Sequence, residues 1–92
     1  MRIKDIFTKA NCDYLKSLGE TDDDILQIKQ AYKVLKLEDK KGNKITKQQA
    51  IETLGIETFL SGLARASFHW TATRYNMSGN DLIYFDCSKL FE

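Results

Sequence analysis

Apolar positions recur at helical spacing along most of the chain and give way to a strand-like run only near its end. Ile3, Ile6, Phe7, Ala10, Tyr14, Leu15 and Leu18 fall on one stripe of a helix. Gly19 then supplies a left-handed position that ends it. Asn11-Cys12-Asp13 has poor helix propensity, so the stripe reads either as one helix or as two shorter ones broken there. Thr21 opens a second helix with Asp22, Asp23 and Asp24 in its first turn, where carboxylates accept from otherwise unpaired amides and complement the helix dipole. Ile25, Ile28, Tyr32 and Leu35 form its stripe, widened by Leu26, Ala31 and Val34. The acidic triplet lacks the spaced oxygen ligands and the glycine of a calcium loop, so capping accounts for it.

Around Leu37 the helical period is lost, and Asp39-Lys40-Lys41-Gly42-Asn43-Lys44 reads as a polar turn. The flanking segments, Val34 to Leu37 and Lys44-Ile45, make either a small hairpin or a helix followed by a loop. Thr46-Lys47-Gln48-Gln49 matches a capping box, Ala50, Ile51 and Leu54 face inward, and Gly55 ends this short helix. The chain restarts at Ile56, and Phe59, Leu60, Leu63, Ala66, Phe68 and Trp70 carry the helical period to about Tyr75. Ser61, Gly62, Ala64, Ala66 and Ser67 suit a close neighbour, either within the chain or in a homodimer. Close packing would offset the roughly 1 kcal/mol that Gly62 costs relative to alanine. Asn76-Met77-Ser78-Gly79-Asn80-Asp81 is turn-rich, and Leu82-Ile83-Tyr84-Phe85-Asp86-Cys87 has strong strand propensity. That strand either completes a three-stranded sheet with the Gly42 hairpin or packs as an extended arm. The expectation is a mainly α (α+β) single domain over 1–92, with about four helices, two of them in a helix-Gly-helix hairpin, and a small C-terminal β element.

Composition narrows this picture. With 92 residues, no proline and 42% hydrophobic positions, one core is expected, burying only about two-thirds of the unfolded surface. Fourteen Lys+Arg against thirteen Asp+Glu give a net charge of +1, too little for a global field that attracts nucleic acid or anionic lipid. Cys12 and Cys87 lack C-x-x-C spacing and read as reduced thiols. The start of the chain lacks the long apolar run of a signal peptide, and no segment approaches the roughly eighteen apolar residues of a membrane span. A soluble cytoplasmic protein is expected.

Candidate chemistry is sparse. His69 is the single histidine, set between Phe68 and Trp70, with no G-x-S-x-G, H-E-x-x-H or cysteine-centred signature beside it. It reads as structural. Two cysteines and one histidine at these separations do not make a zinc site, and the five glycines are isolated rather than grouped as a phosphate cradle. The expectation is a non-enzyme with no catalytic residue, no metal and no cofactor.

Two binding readings remain. Gln49-Ala50-Ile51-Glu52-Thr53-Leu54-Gly55-Ile56 resembles the first helix and turn of phage repressors and excisionase-like regulators, which implies a helix-turn-helix that reads DNA. The pattern departs after Ile56, where Phe59 brings an apolar position early. On this reading Lys40, Lys41, Lys44 and Lys47 supply phosphate contacts, with Arg65 and Arg74 on the second helix. The other reading is a protein-interaction module that occupies a surface of a larger protein or complex. Six of the ten aromatics lie in the final third, and Trp70, Tyr75, Tyr84 and Phe91 are its candidate contacts. In its brevity, its abundance of Lys, Ile and Asp and its lack of proline, the chain resembles small accessory proteins of phages and mobile elements. That resemblance implies an inhibitor of a host defence complex, anti-CRISPR proteins being one such class.

Overall fold

The computed structural model describes residues 6–68, 73–76 and 82–91, with the backbone alone at 73–76, 82 and 91. Helix α1 (Lys9–Ser17) is followed by α2 (Asp22–Val34), the hairpin β1 (Lys36–Asp39) and β2 (Lys44–Ile45), helices α3 (Lys47–Leu54) and α4 (Ile56–Ser67), strands β3 (Thr73–Asn76) and β4 (Leu82–Asp86), and a 3-10 turn at Ser88–Phe91. The fold is mainly α with a sheet, as the periodicity implies, and α3-Gly55-α4 is the helix-Gly-helix unit.

Local signals fix the helix starts. Thr21 accepts from the Asp24 amide at 3.2 Å while the Asp24 carboxylate accepts from the Thr21 amide at 2.9 Å. Thr46 and Gln49 repeat this reciprocal box at 3.0 and 2.8 Å. Each box satisfies two amides that would otherwise lack partners at the helix start. Gly55, at φ +86° and ψ 153°, is both the end of α3 and the residue that precedes α4. Side chains other than glycine rarely adopt that conformation.

The sheet has the order β2-β1-β4-β3 with every pairing antiparallel. Residues 36–45 therefore form the hairpin rather than a helix and loop. Its tip is tied by Asp39, whose Oδ1 accepts from the amides of Lys41 and Asn43, each at 2.9 Å. Leu37 lies opposite Phe85 in the register, and both are buried, as is Ile83. These residues turn toward the helices. Phe59, Leu60 and Leu63 of α4 are fully buried and make that helix the centre of the core. A run of ring contacts links the elements: Phe7 to Tyr32 at 5.6 Å, Tyr32 to Phe59 at 6.2 Å, and Phe59 to Phe85 at 5.8 Å between centroids.

Several expectations from the pattern are corrected. Helix α1 starts at Lys9 and leaves residues 6–8 outside it, because Thr8 caps it and the Asn11 side chain donates to the Ile6 carbonyl at 2.6 Å; Ile3 lies outside the described residues. Ala10 and Leu18, both assigned to the inward stripe, are exposed, and Leu15 alone is buried within α1. Leu26, assigned to the buried stripe of α2, is 57% exposed. The last helix ends at Ser67 rather than running to Tyr75. There the Gln27 side chain, forty residues away, donates to the Ser67 carbonyl at 2.8 Å, and residues 73–76 pair with β4 instead of continuing the helix. Phe68 is consequently exposed rather than part of an inward stripe.

Candidate interaction face

Alternation along the strands gives the sheet two unlike sides. On the side away from the helices lie Lys36 and Glu38 of β1, Lys44 of β2, and Tyr84 and Asp86 of β4, all exposed or half-buried. Register places Lys36 opposite Asp86, Glu38 opposite Tyr84 on one neighbouring strand and opposite Lys44 on the other. Opposite charges thus sit beside one another, yet Lys36, Glu38, Lys44 and Asp86 form no ion pairs with each other among the described residues. At the hairpin end of this face is a pocket of about 280 Å³ whose lining is mostly apolar. Leu35, Leu37 and Ile45 line it together with Lys36, Glu38, Lys44, Lys47, Tyr84 and Asp86.

The lysines differ in their surroundings. Lys40 and Lys41 are exposed at the hairpin tip, and Lys44 is exposed on β2. Lys47 begins α3 and is half-buried; its Nζ lies 4.3 Å from the centroid of the Tyr32 ring. Burial pushes the Lys47 ammonium below the ordinary lysine value. The hydrogen bond from the Asn43 amide, joined by that from Lys41, holds the Asp39 carboxyl below the usual carboxylate range. Its oxygens accept from the turn amides, and its negative charge, stabilised further by the Lys41 ammonium, stays at the hairpin tip.

The sequence-chosen residues are distributed unevenly over this face. Tyr84 is part of the pocket, whereas Tyr75 lies on β3 opposite Ile83, and Phe91 ends the 3-10 turn. Trp70 and His69 fall outside the described residues. Lys44 and Lys47 meet in the pocket, Lys40 and Lys41 stand beyond it, Arg65 is exposed on α4, and Arg74 pairs opposite Tyr84. The face α4 leaves to solvent is narrow, with Glu57, Arg65 and the following Phe68 exposed and Ser61 half-buried. Glu38, Asp86 and the apolar lining carry no sequence motif that singles them out, although Ile83-Tyr84-Phe85-Asp86 already alternates in the manner of a strand with two different sides.

Among the described residues no three His, Cys, Asp or Glu side chains converge as metal ligands, and no helix is long and apolar enough to cross a membrane. Cys12 and Cys87 are free thiols. Buried Cys87 is pushed up to about 11 by loss of solvation, with the Asp86 carboxylate adding to the shift. The structural class is a small α+β domain with helices against one side of an antiparallel sheet and a charged, tyrosine-bearing opposite side. Compared with family models, curated proteins and solved structures, the chain matches none of them.

Proposed function

We propose that this chain is a small, cytoplasmic, non-enzymatic interaction module that binds a larger protein or protein complex through the open side of its sheet. The observation that supports this reading is the grouping of half-buried Tyr84 with unlike charges that form no ion pairs among themselves, around a mostly apolar pocket. Interfaces combine an aromatic anchor with a polar rim in this way. The finer reading is an inhibitor of a host defence complex such as CRISPR-Cas, supported by the resemblance to phage and mobile-element accessory proteins.

Affinity capture from the native host is the direct test, with wild-type and Tyr84→Ala baits compared at moderate salt. A stoichiometric partner retained by the first and depleted from the second is expected; no partner on the wild-type bait overturns the reading. For the finer reading, expressing the chain in a CRISPR-immune strain should restore transformation by a targeted plasmid, and undiminished interference sinks it. The helix-turn-helix alternative draws its support from the lysines of the hairpin. Titrating duplex DNA at two salt concentrations decides it, since phosphate contacts give a steep salt dependence.

A further inference from the structure

We propose that the pocket at the hairpin end of the open sheet face takes an acidic segment of a partner protein, anchored by one apolar or aromatic side chain. This rests on the interaction-module reading and names the partner's chemistry. Size is the first argument. Small-molecule sites span about 300–1,000 Å³, so a pocket of about 280 Å³ lies at the bottom of that range and has room for one large side chain. Its lining is mostly apolar and includes the half-buried Tyr84, whereas Leu35 and Leu37 turn toward the helices and expose little of themselves to it.

Charge supplies the second argument. Lys36, Lys44 and Lys47 line the pocket against the two carboxylates of Glu38 and Asp86, and Lys40 and Lys41 extend the positive side at the exposed hairpin tip. Asp39 offsets part of that charge at the tip, where it also binds the turn amides. The five lysines still outnumber Glu38, Asp39 and Asp86, and Lys47 lies over the Tyr32 ring. Neither Lys36 nor Lys44 is closed into an ion pair among the described residues. A nucleic-acid backbone fits less well, because evenly spaced phosphates cannot avoid Glu38 and Asp86, whereas a protein segment can set its carboxylates between them. The chain's own Asp22-Asp23-Asp24 turn beside exposed Leu26 has comparable chemistry, which makes a second copy an outcome to examine.

Selection from a random peptide display library against the full chain tests the proposal. Enriched peptides should carry net negative charge around one leucine or aromatic residue, and their affinity should fall by about tenfold or more in a Lys36→Glu, Lys44→Glu variant. Lys36→Gln, Lys44→Gln serves the same purpose should charge reversal disturb folding, which thermal unfolding reports. Neutral or basic peptides, no enrichment, or affinity indifferent to these lysines overturns the proposal. So does binding of tRNA or duplex DNA with the same lysine dependence, or a concentration-dependent dimer in sedimentation that Lys44→Glu abolishes. Host capture separates this claim from the broader one: a partner lost with Tyr84→Ala but retained by the lysine variants refutes the acidic segment and leaves the interaction module standing.

Discussion

The two sides of β4 make the most informative comparison in the molecule. Ile83 and Phe85 are buried among helices, while Tyr84 and Asp86, one residue away in each case, belong to the open face. The strand, the backbone pairing and the sequence neighbourhood are shared. What differs is whether a helix layer covers the side chain, and that alone separates a residue that holds the fold from one left at the surface. The side chains that pack the covered side are apolar, whereas the open side alternates charge around a tyrosine, a surface that can stay in water until something matches it.

The largest expected effect tests this separation directly. Phe85→Ala should destabilise the domain by about 3–5 kcal/mol, the range for emptying a packed aromatic site, while Tyr84→Ala should cost about 1 kcal/mol or less, as near-surface changes do. Urea unfolding followed by circular dichroism checks both, and similar losses for the two would erase the distinction between the sides. A smaller effect sharpens it. Gly55→Ala adds a side chain that meets no neighbour within 4 Å, so its cost comes from the backbone conformation at φ +86°. A loss of about 1–3 kcal/mol is expected, with partner capture unchanged once the protein is folded, because Gly55 supports the packed side only.

The smallest effect lies in alkali. The Cys87 thiol is raised from the ordinary value of 9.0 to about 11 in the folded chain. A raised value means that the folded state holds its proton more tightly than the unfolded one. Its contribution is therefore intact below pH 9 and is lost as pH rises through about 11. Chemical denaturation between these limits should show stability falling with pH, and Cys87→Ala should flatten that limb even if it lowers stability throughout. An equally steep limb in the variant would place the titration elsewhere.

Several features of the fold were legible because they are written in adjacent residues. Thr21 and Thr46 each carry their capping partner three residues on, Gly19 and Gly55 supply the positive-φ positions that close helices, and Leu82 to Cys87 carries its own strand propensity. The hairpin stood open between two readings because its deciding contacts are remote: β1 forms along β4 as well as along β2. The candidate face was legible only in part for the same reason. Tyr84 and the lysines could be singled out by residue type, but their meeting with Glu38 and Asp86 in one pocket depends on pairing between distant segments.

By itself, then, the sequence determined the starts of α2 and α3, the glycine stops and the α+β class, since caps and periodicity are set by groups within a turn or two of one another. Tertiary structure decided where α4 ends and that residues 73–76 form a strand instead of extending it. Beyond Ser67 the apolar spacing could have continued a helix, but the Gln27 side chain takes the Ser67 carbonyl and β4 offers residues 73–76 a row of backbone partners. Partners that lie tens of residues away leave no local period to read, and they settled both the extent of the sheet and which of its sides remained open.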